Sequence, residues 1–338
     1  MNPGRNGENI LAIGLGKSGC SILSKLEKQT PIIDDFFYIH SDPISSPLSS
    51  TGHSVKINLK FGGNLSPRLI RSLSYEQISS FSNNLDNVDC VVIVYNPGET
   101  LSSALAPIIT EMCTEREIKC LSILSMPYEF EKHKHFNAGL TLTKIRQHSA
   151  NIILVDNDEI LDSLPRIPLD TAFDLVYSKI ALSISYLFNP KVCDFDNLFE
   201  ITDDDKYSLM SFGESSDNYN DGEKAVKNAL HMLSNTTNTS SIEKILLFIN
   251  GNDKLSTTDL ASSINLVKGQ VGENISQFSH NYNTISSSDT MAVLISSGLT
   301  QTKFDDYDPL ANILNGQNLD NDLEYYIDED LGLPIISE

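Results

Sequence analysis

The sequence holds 338 residues, of which 40% are hydrophobic and 8% aromatic, enough for two domains and a large core. Its 24 Lys and Arg residues face 45 Asp and Glu, a formal net charge of −21, with a pI of about 4.6. No basic stripe exists to displace counterions, which argues against a nucleic-acid binder, and the acidity disfavours docking on an anionic membrane.

In chain order, the apolar run Ile10–Ile13 leads into Gly14, Gly16 and Gly19, and then into helical spacing at Ile22, Leu23 and Leu26. That reads as strand, glycine-rich turn and helix N-terminus. Such a turn leaves backbone N–H groups free and lets a phosphate approach the main chain, where the helix dipole also favours negative charge. G-x-G-x-x-G is a dinucleotide fingerprint only in the right context; a tight turn with no ligand is the alternative.

Phe36–His40 is a second buried-strand candidate, ending at Ser41-Asp42-Pro43. A third apolar stretch, Val55–Leu59, precedes the turn Phe61-Gly62-Gly63-Asn64, and Pro67–Phe81 reads as a helix. Asp89–Tyr95 is continuous and β-branched, the pattern of a central parallel strand. It stops at Asn96-Pro97-Gly98, after which Leu105, Ile108, Ile109 and Met112 mark a helix. Ile118–Leu124 and Asn151–Val155 give two further strands. This alternation predicts an α/β fold with a doubly wound, mostly parallel sheet, whose ligands would sit at the carboxyl ends of the strands.

Phe173, Val176, Ile180, Ile184 and Leu187 keep helical spacing, and Leu175 and Leu182 add a second apolar face, so a long buried central helix is expected. The remainder alternates strands (Lys206–Phe212, Ile242–Ile249, Met291–Ser296) with helices (Glu223–Leu233, Thr258–Val267), a smaller α+β domain. From Gln301 the chain is acidic and Asn-rich and is expected to be disordered, with a possible docking peptide at Tyr325–Ile336. The expected organisation is a nucleotide-binding domain over 1–165, the central helix over 166–190, an α+β domain over 191–300 and the tail over 301–338.

Five scattered cysteines (Cys20, Cys90, Cys113, Cys120, Cys193) form no C-x-x-C, which disfavours a disulfide framework or zinc site. No apolar leader precedes Ile10 and no run approaches membrane-spanning length, so a cytoplasmic protein is expected.

Taken together, the turns resemble those of the FtsZ/tubulin family of GTP-binding filament proteins, and FtsZ more closely than tubulin, over roughly residues 9–299. The family's first glycine loop, I-G-x-G-G-G-G-G-N, is matched by Ile13-Gly14-Leu15-Gly16-Lys17-Ser18-Gly19-Cys20-Ser21. Its Thr-Asp after the second strand is similar to Ser41-Asp42, and its A-G-G-N-P loop to Phe61-Gly62-Gly63-Asn64-Leu65. Its T-x-P-F-x-F-E resembles Ser125–Glu131, whose final Glu131 would meet the ribose, and His135 falls where the family often has Arg. The family's central helix begins A-D-D-V-L, and its second Asp, matched here by Asp174, reads the guanine edge. A carboxylate accepts both guanine donors, although an Asp near a helix start also serves the dipole.

Two loops depart from the family. Its G-G-G-T-G-T-G phosphate loop reads Gly98-Glu99-Thr100-Leu101-Ser102-Ser103-Ala104. Glu99 would repel an anion if it pointed inward; pointing outward, it would leave Thr100, Ser102 and Ser103 to present backbone donors. The family's N-x-D-x-x-D loop, which activates water for the neighbouring subunit, is matched by Val192–Asn197. Asp194 is kept, Asn197 replaces the second carboxylate, and Asp196 lies one residue away. An amide cannot take a proton from water.

The resemblance thus implies GTP or GDP as ligand, with Mg²⁺ held by the nucleotide, and bound at Gly14, Gly16, Lys17, Ser18, Gly19, Ser21, Asp42, Gly62, Gly63, Asn64, Gly98, Thr100, Ser102, Ser103, Glu131, His135 and Asp174. Asp194, Asp196 and Asn197 would be catalytic, with weak or absent hydrolysis. No protein-held metal site is expected: His133 and His135 lack further ligands at zinc spacing, and Asp203–Asp205 reads as a solvated loop. Expected partners are further copies of the chain, stacked head to tail, and an adaptor at the tail. A non-hydrolysing scaffold or regulator of a better-preserved FtsZ-like partner is the alternative. A dehydrogenase with Asp42 on the ribose would explain the first forty residues and little else.

Overall fold

The computed structural model describes residues 9–29, 33–41, 52–57, 65–149, 151–164, 166–188, 195–204, 206–216, 221–251, 255–271, 275–284 and 289–307. Among the described residues, ten strands and nine α-helices follow one another along the chain. The first half comprises β1 (Ile10–Leu15), α1 (Gly16–Leu26), β2 (Asp35–His40), β3 (His53–Lys56), α2 (Pro67–Phe81), β4 (Cys90–Tyr95), α3 (Thr100–Glu115), β5 (Lys119–Ser125), α4 (Lys132–Ile145) and β6 (Ile152–Val155). The second comprises α5 (Asn157–Asp162), α6 (Leu169–Leu187), α7 (Phe195–Thr202), β7 (Ser208–Ser215), α8 (Asp221–Thr236), β8 (Lys244–Gly251), α9 (Thr257–Val271), β9 (Gln277–Thr284) and β10 (Thr290–Ser297).

The strands form one sheet in the order β3-β2-β1-β4-β5-β6-β7-β10-β8-β9. Pairing is parallel from β3 through to β7, β10 is antiparallel to both β7 and β8, and β8–β9 is parallel. The sheet therefore runs without a break from β6 into β7, through Ile153 opposite Ser208 and Val155 opposite Met210.

Why the central strands read as unbroken apolar runs follows from their two covered faces. In β4, Val91, Ile93 and Tyr95 join the core under α2, α3 and α4, while Cys90, Val92 and Val94 join the core under α1 and α6. Every residue of β4 is sealed from solvent, as a strand between two helical layers must be.

The central helix α6 differs from expectation. It buries one stripe (Val176, Ile180, Ala181, Ile184, Leu187), but Leu169 and Leu175 are exposed. The helix is apolar around more of its circumference than this chain alone covers. Residues 303–307, expected in the disordered tail, form a 3-10 turn whose Phe304 and Tyr307 are buried. Tyr307 stacks on His135 at 4.0 Å, and Lys303 pairs with Asp156 at 2.5 Å. Among the described residues no helix is long and apolar enough to cross a membrane.

Candidate nucleotide site

In the strand order 3-2-1-4-5-6 the connections leave β1 and β4 toward opposite faces, opening a crevice at their carboxyl ends. The glycine turn follows β1 and Gly98-Glu99 follow β4, so both border this crevice. Each of the three glycines in the turn has its own reason to be there. A Cβ on Gly14 would lie 2.9 Å from the Gly19 carbonyl oxygen and 2.9 Å from Leu23 Cβ; one on Gly19 would lie 2.1 Å from the Val94 carbonyl oxygen. These two let α1 lie directly on β1 and β4. Gly16 takes a left-handed φ of +75° and starts α1.

What faces Gly16 is Glu99. A Cβ on Gly16 would clash with Glu99 Oε2 and would come within 2.7 Å of Ser102 Oγ. Glu99 Oε1 accepts from the Ser18 N–H at 3.1 Å and from Ser18 Oγ at 2.5 Å, and the Lys17 amide adds a weaker bond. Ser18 Oγ also reaches Tyr177 Oη of α6 at 3.1 Å. Enclosure from water raises the Glu99 carboxyl above the ordinary carboxylate range; the Ser18 bonds and the charge of Lys134 pull the other way without reversing it. Of the two orientations open to Glu99, the side chain takes the inward one.

Other expected residues are already engaged with the protein. Of the Gly98–Ala104 segment, Thr100–Ala104 form the first turn of α3 in place of an open loop, beginning at the half-buried Thr100. Gly98 N–H is held by Asn96 Oδ1 at 2.9 Å. Ser102 Oγ donates to the Leu15 carbonyl at 3.1 Å, and Ser103 Oγ accepts from Thr141 Oγ1 at 2.8 Å. Glu131 pairs with Lys134 at 2.6 Å and receives the Tyr128 N–H at 3.3 Å. His135 Nε2 is 3.0 Å from the Tyr128 carbonyl oxygen, with its ring against Tyr307. Lys17 is exposed, and Ser21 Oγ bonds back to the Lys17 carbonyl at 2.9 Å. Asp174, near the start of α6, is two-thirds exposed and pairs with Lys25 at 2.7 Å. Beside it, Tyr128, Phe130 and Phe173 stack, with Phe130 59% exposed. Asp42, Gly62, Gly63, Asn64 and Asp194 lie outside the described residues.

The expected catalytic residues sit elsewhere. Asp196 pairs with Lys119, at the start of β5, at 2.9 Å. Asn197 Oδ1 accepts from Ser279 Oγ at 3.1 Å. The N-terminal end of β5 and the carboxyl ends of β1 and β4 are opposite edges of a parallel sheet. Strands of six or seven residues separate them by about 20 Å, and the 19 residues of α6 span about 28 Å between the two ends. No single copy of the chain brings both groups together.

Residues 61–165 match the family described as Tubulin/FtsZ family, GTPase domain. The cell division protein FtsZ of Mycoplasmopsis pulmonis is 23% identical over 309 residues, covering 87% of this chain and 78% of that protein. Further curated FtsZ relatives are matched over 39% to 69% of their own length. Residues 61–165 thus carry the Tubulin/FtsZ GTPase-domain pattern, and the chain as a whole is similar to FtsZ proteins. The fold agrees: an FtsZ dimer from M. jannaschii superposes with a TM-score of 0.74 at 17% identity, over 87% of this chain and 89% of that one. A GTPγS-bound protofilament of CetZ2 from Haloferax volcanii gives 0.70 at 16% identity, over 90% and 98%.

A Tubulin/FtsZ GTPase domain over residues 61–165 implies a guanine nucleotide as the ligand. The described residues fit that ligand unevenly. An exposed carboxylate beside an exposed aromatic face, Asp174 with Phe130 and Phe173, suits a purine with donors on its edge. The phosphate end fits poorly, because the half-buried Glu99 carboxyl already accepts the Ser18 donors at the start of α1. Among the described residues no group of three or more His, Cys, Asp or Glu is placed to hold a metal.

Sequence reading passed over three participants: Tyr177, Lys25 and the 303–307 turn. Tyr177 lies one helical turn beyond Asp174, on a neighbouring face of the same helix. Lys303 was visible as the one cation in an acidic stretch, which is a signal that a carboxylate elsewhere requires it.

Proposed function

We propose that this chain is a cytoplasmic, FtsZ-like cytoskeletal protein that binds guanine nucleotide between subunits. It stacks head to tail and hydrolyses GTP weakly or not at all. One observation carries the reading: Gly16 and Asp174 lie at one edge of the sheet, while Asp196 and Asn197 lie at the other. A second copy whose α7 end sits over the glycine turn of the first would unite them. That contact is heterologous, and so open-ended. The exposed Phe130, Leu169 and Leu175 at the glycine-turn edge are apolar surface that a stacked copy and a purine would cover.

Weak turnover follows from the residues at the far edge. Asn197 is an amide whose oxygen is bonded to Ser279, and Asp196 is paired with Lys119, so neither is placed as a free base. Magnesium would arrive with the nucleotide's phosphates, and the acidic segment beyond residue 307 would tether filaments to an adaptor. GTP-dependent pelleting and phosphate release, followed in the same tube, test this. The expected result is a pellet that grows with GTP while phosphate stays near the protein-free baseline. A protein that neither pellets nor binds guanine nucleotide would refute it.

The inward Glu99 favours a second reading, a non-hydrolysing scaffold that joins the filaments of a better-preserved relative. That version expects pelleting only when such a relative is added.

A further inference from the structure

The start of α1 is where the chain would receive an anion. It lies at the carboxyl end of β1, at the reversal of strand order, with backbone N–H groups and the positive end of an 11-residue helix facing the crevice. A carboxyl group is already there, and the chain supplies it. Glu99 Oε1 takes the Ser18 N–H and the Ser18 hydroxyl, and Oε2 lies against Gly16 where that residue's lack of a side chain leaves room. Lys134, on the opposite wall, supplies the nearest positive charge. A carboxylate and a phosphate present the same chemistry to these donors: a small group of anionic oxygens that accepts N–H and O–H bonds.

We propose that Glu99 is a built-in occupant of the phosphate cradle, so that the site recognises the guanine nucleoside and selects against its phosphate tail until Glu99 is displaced. This rests on the proposed guanine-nucleotide site and names its selectivity residue. A phosphate entering the cradle would meet a carboxylate within a few ångströms in a poorly screened space. It would also compete with that carboxylate for the same Ser18 donors. The base end has other partners, Asp174 being paired with Lys25 and Phe173 packed on Tyr128. Nucleoside affinity should therefore be indifferent to residue 99, while nucleotide affinity should depend on it.

Isothermal titration of the full chain with guanosine, GDP and GTP tests the proposal, comparing wild type with Glu99→Gln and Glu99→Ala. Glutamine keeps the shape and an acceptor for Ser18 but removes the charge; alanine empties the cradle and serves if the glutamine variant does not fold. In wild type, GDP and GTP should bind no more tightly than guanosine. In either variant both nucleotides should gain at least tenfold, with guanosine changing less than threefold. Two results overturn the proposal while leaving the nucleotide site intact: nucleotide affinity that stays level or falls in the variants, or a guanosine gain as large as the nucleotide gain. If none of the three proteins binds any of the three ligands, the guanine site itself is wrong and this inference falls with it.

Discussion

Replacing Gly19 with alanine separates the packing role of the glycine turn from any ligand role. The added Cβ would stand 2.1 Å from the Val94 carbonyl oxygen, 3.0 Å from its carbonyl carbon and 3.1 Å from Tyr95 Cα, all backbone atoms. β4 cannot retreat, because it is hydrogen-bonded on both sides, to β1 and to β5. α1 must then lift by about an ångström, and Ile22, Leu23 and Leu26, all fully buried, lose close contact with the sheet. Overpacking of this kind costs about 1–3 kcal/mol, and glycine to alanine within a helix returns about 0.5–1 kcal/mol. The net loss is about 1 kcal/mol, a fall in Tm on the order of 2 °C. Gly269, in α9, is the control: nothing lies within 4 Å of its Cβ position, so Gly269→Ala should stabilise by about 0.5–1 kcal/mol. Calorimetric melting of the two variants without nucleotide decides the matter. If Gly19→Ala melts within about 1 °C of wild type, the glycine is not a packing requirement, and its place in the motif would have to be explained by a ligand.

Lys303→Met strips the cation from Asp156, a buried carboxylate that also accepts from Thr236 Oγ1 at 2.9 Å. It should cost about 1–2 kcal/mol and speed amide exchange at Phe304 and Tyr307; unchanged exchange would sever the 303–307 turn from this ion pair. Cys20, Cys90, Cys113 and Cys120 are buried and burial pushes the Cys20 thiol well up, so native protein at pH 8 should show at most one fast thiol; two or more would contradict the packing. Asn197→Asp keeps the Ser279 bond and adds a base, so phosphate release should rise about tenfold or more with pelleting unchanged if stacked copies share the site. Glu99 is faced by Ser18, the Lys17 amide and Cys20 from α1, Lys134 from α4 and Tyr177 from α6, and its carboxyl is raised from the ordinary 4.5. Its ionised form therefore weighs on the folded state above that range, so Glu99→Gln should melt higher than wild type at pH 7.5 and lose the advantage as pH falls toward 4.5.

The parts of the fold legible in the sequence are those where one physical cause dominates. β4 is covered on both faces, so its apolar run is unbroken and unambiguous. α2 ends at the residues its spacing suggests, Pro67 and Phe81. β9 went unread because it is an edge strand paired only to β8, and its sequence QFSHNYNT carries little apolar periodicity. α7 was missed for its length, eight residues, too few for a period to declare itself. The β6–β7 pairing joins residues more than fifty positions apart, and no local pattern records it. The 303–307 turn escaped because composition is averaged over a segment, whereas Phe304 and Tyr307 are individual anchors.

The candidate site was legible as a set of turns but not as a state. Gly14 and Gly19 would be needed in this chain whether or not it ever met a nucleotide, since α1 rests on backbone at both positions. Only Gly16, left-handed at the helix start and faced by Glu99, is tied to what fills the cradle. The motif therefore speaks first for the packing of a helix on a parallel sheet, and only through one residue for a ligand. What distinguishes this chain is the occupant. Glu99 is one residue past the glycine that follows β4, and a sequence offers it both directions; its orientation is decided by Ser18 and the free amides at the start of α1, which have no other partner of opposite polarity so near. Where the family's loop carries glycines, this chain begins α3 at Thr100 and sets the Glu99 carboxyl on the donors of Ser18, so residues that would weaken a phosphate's hold supply those donors with an acceptor of the chain's own.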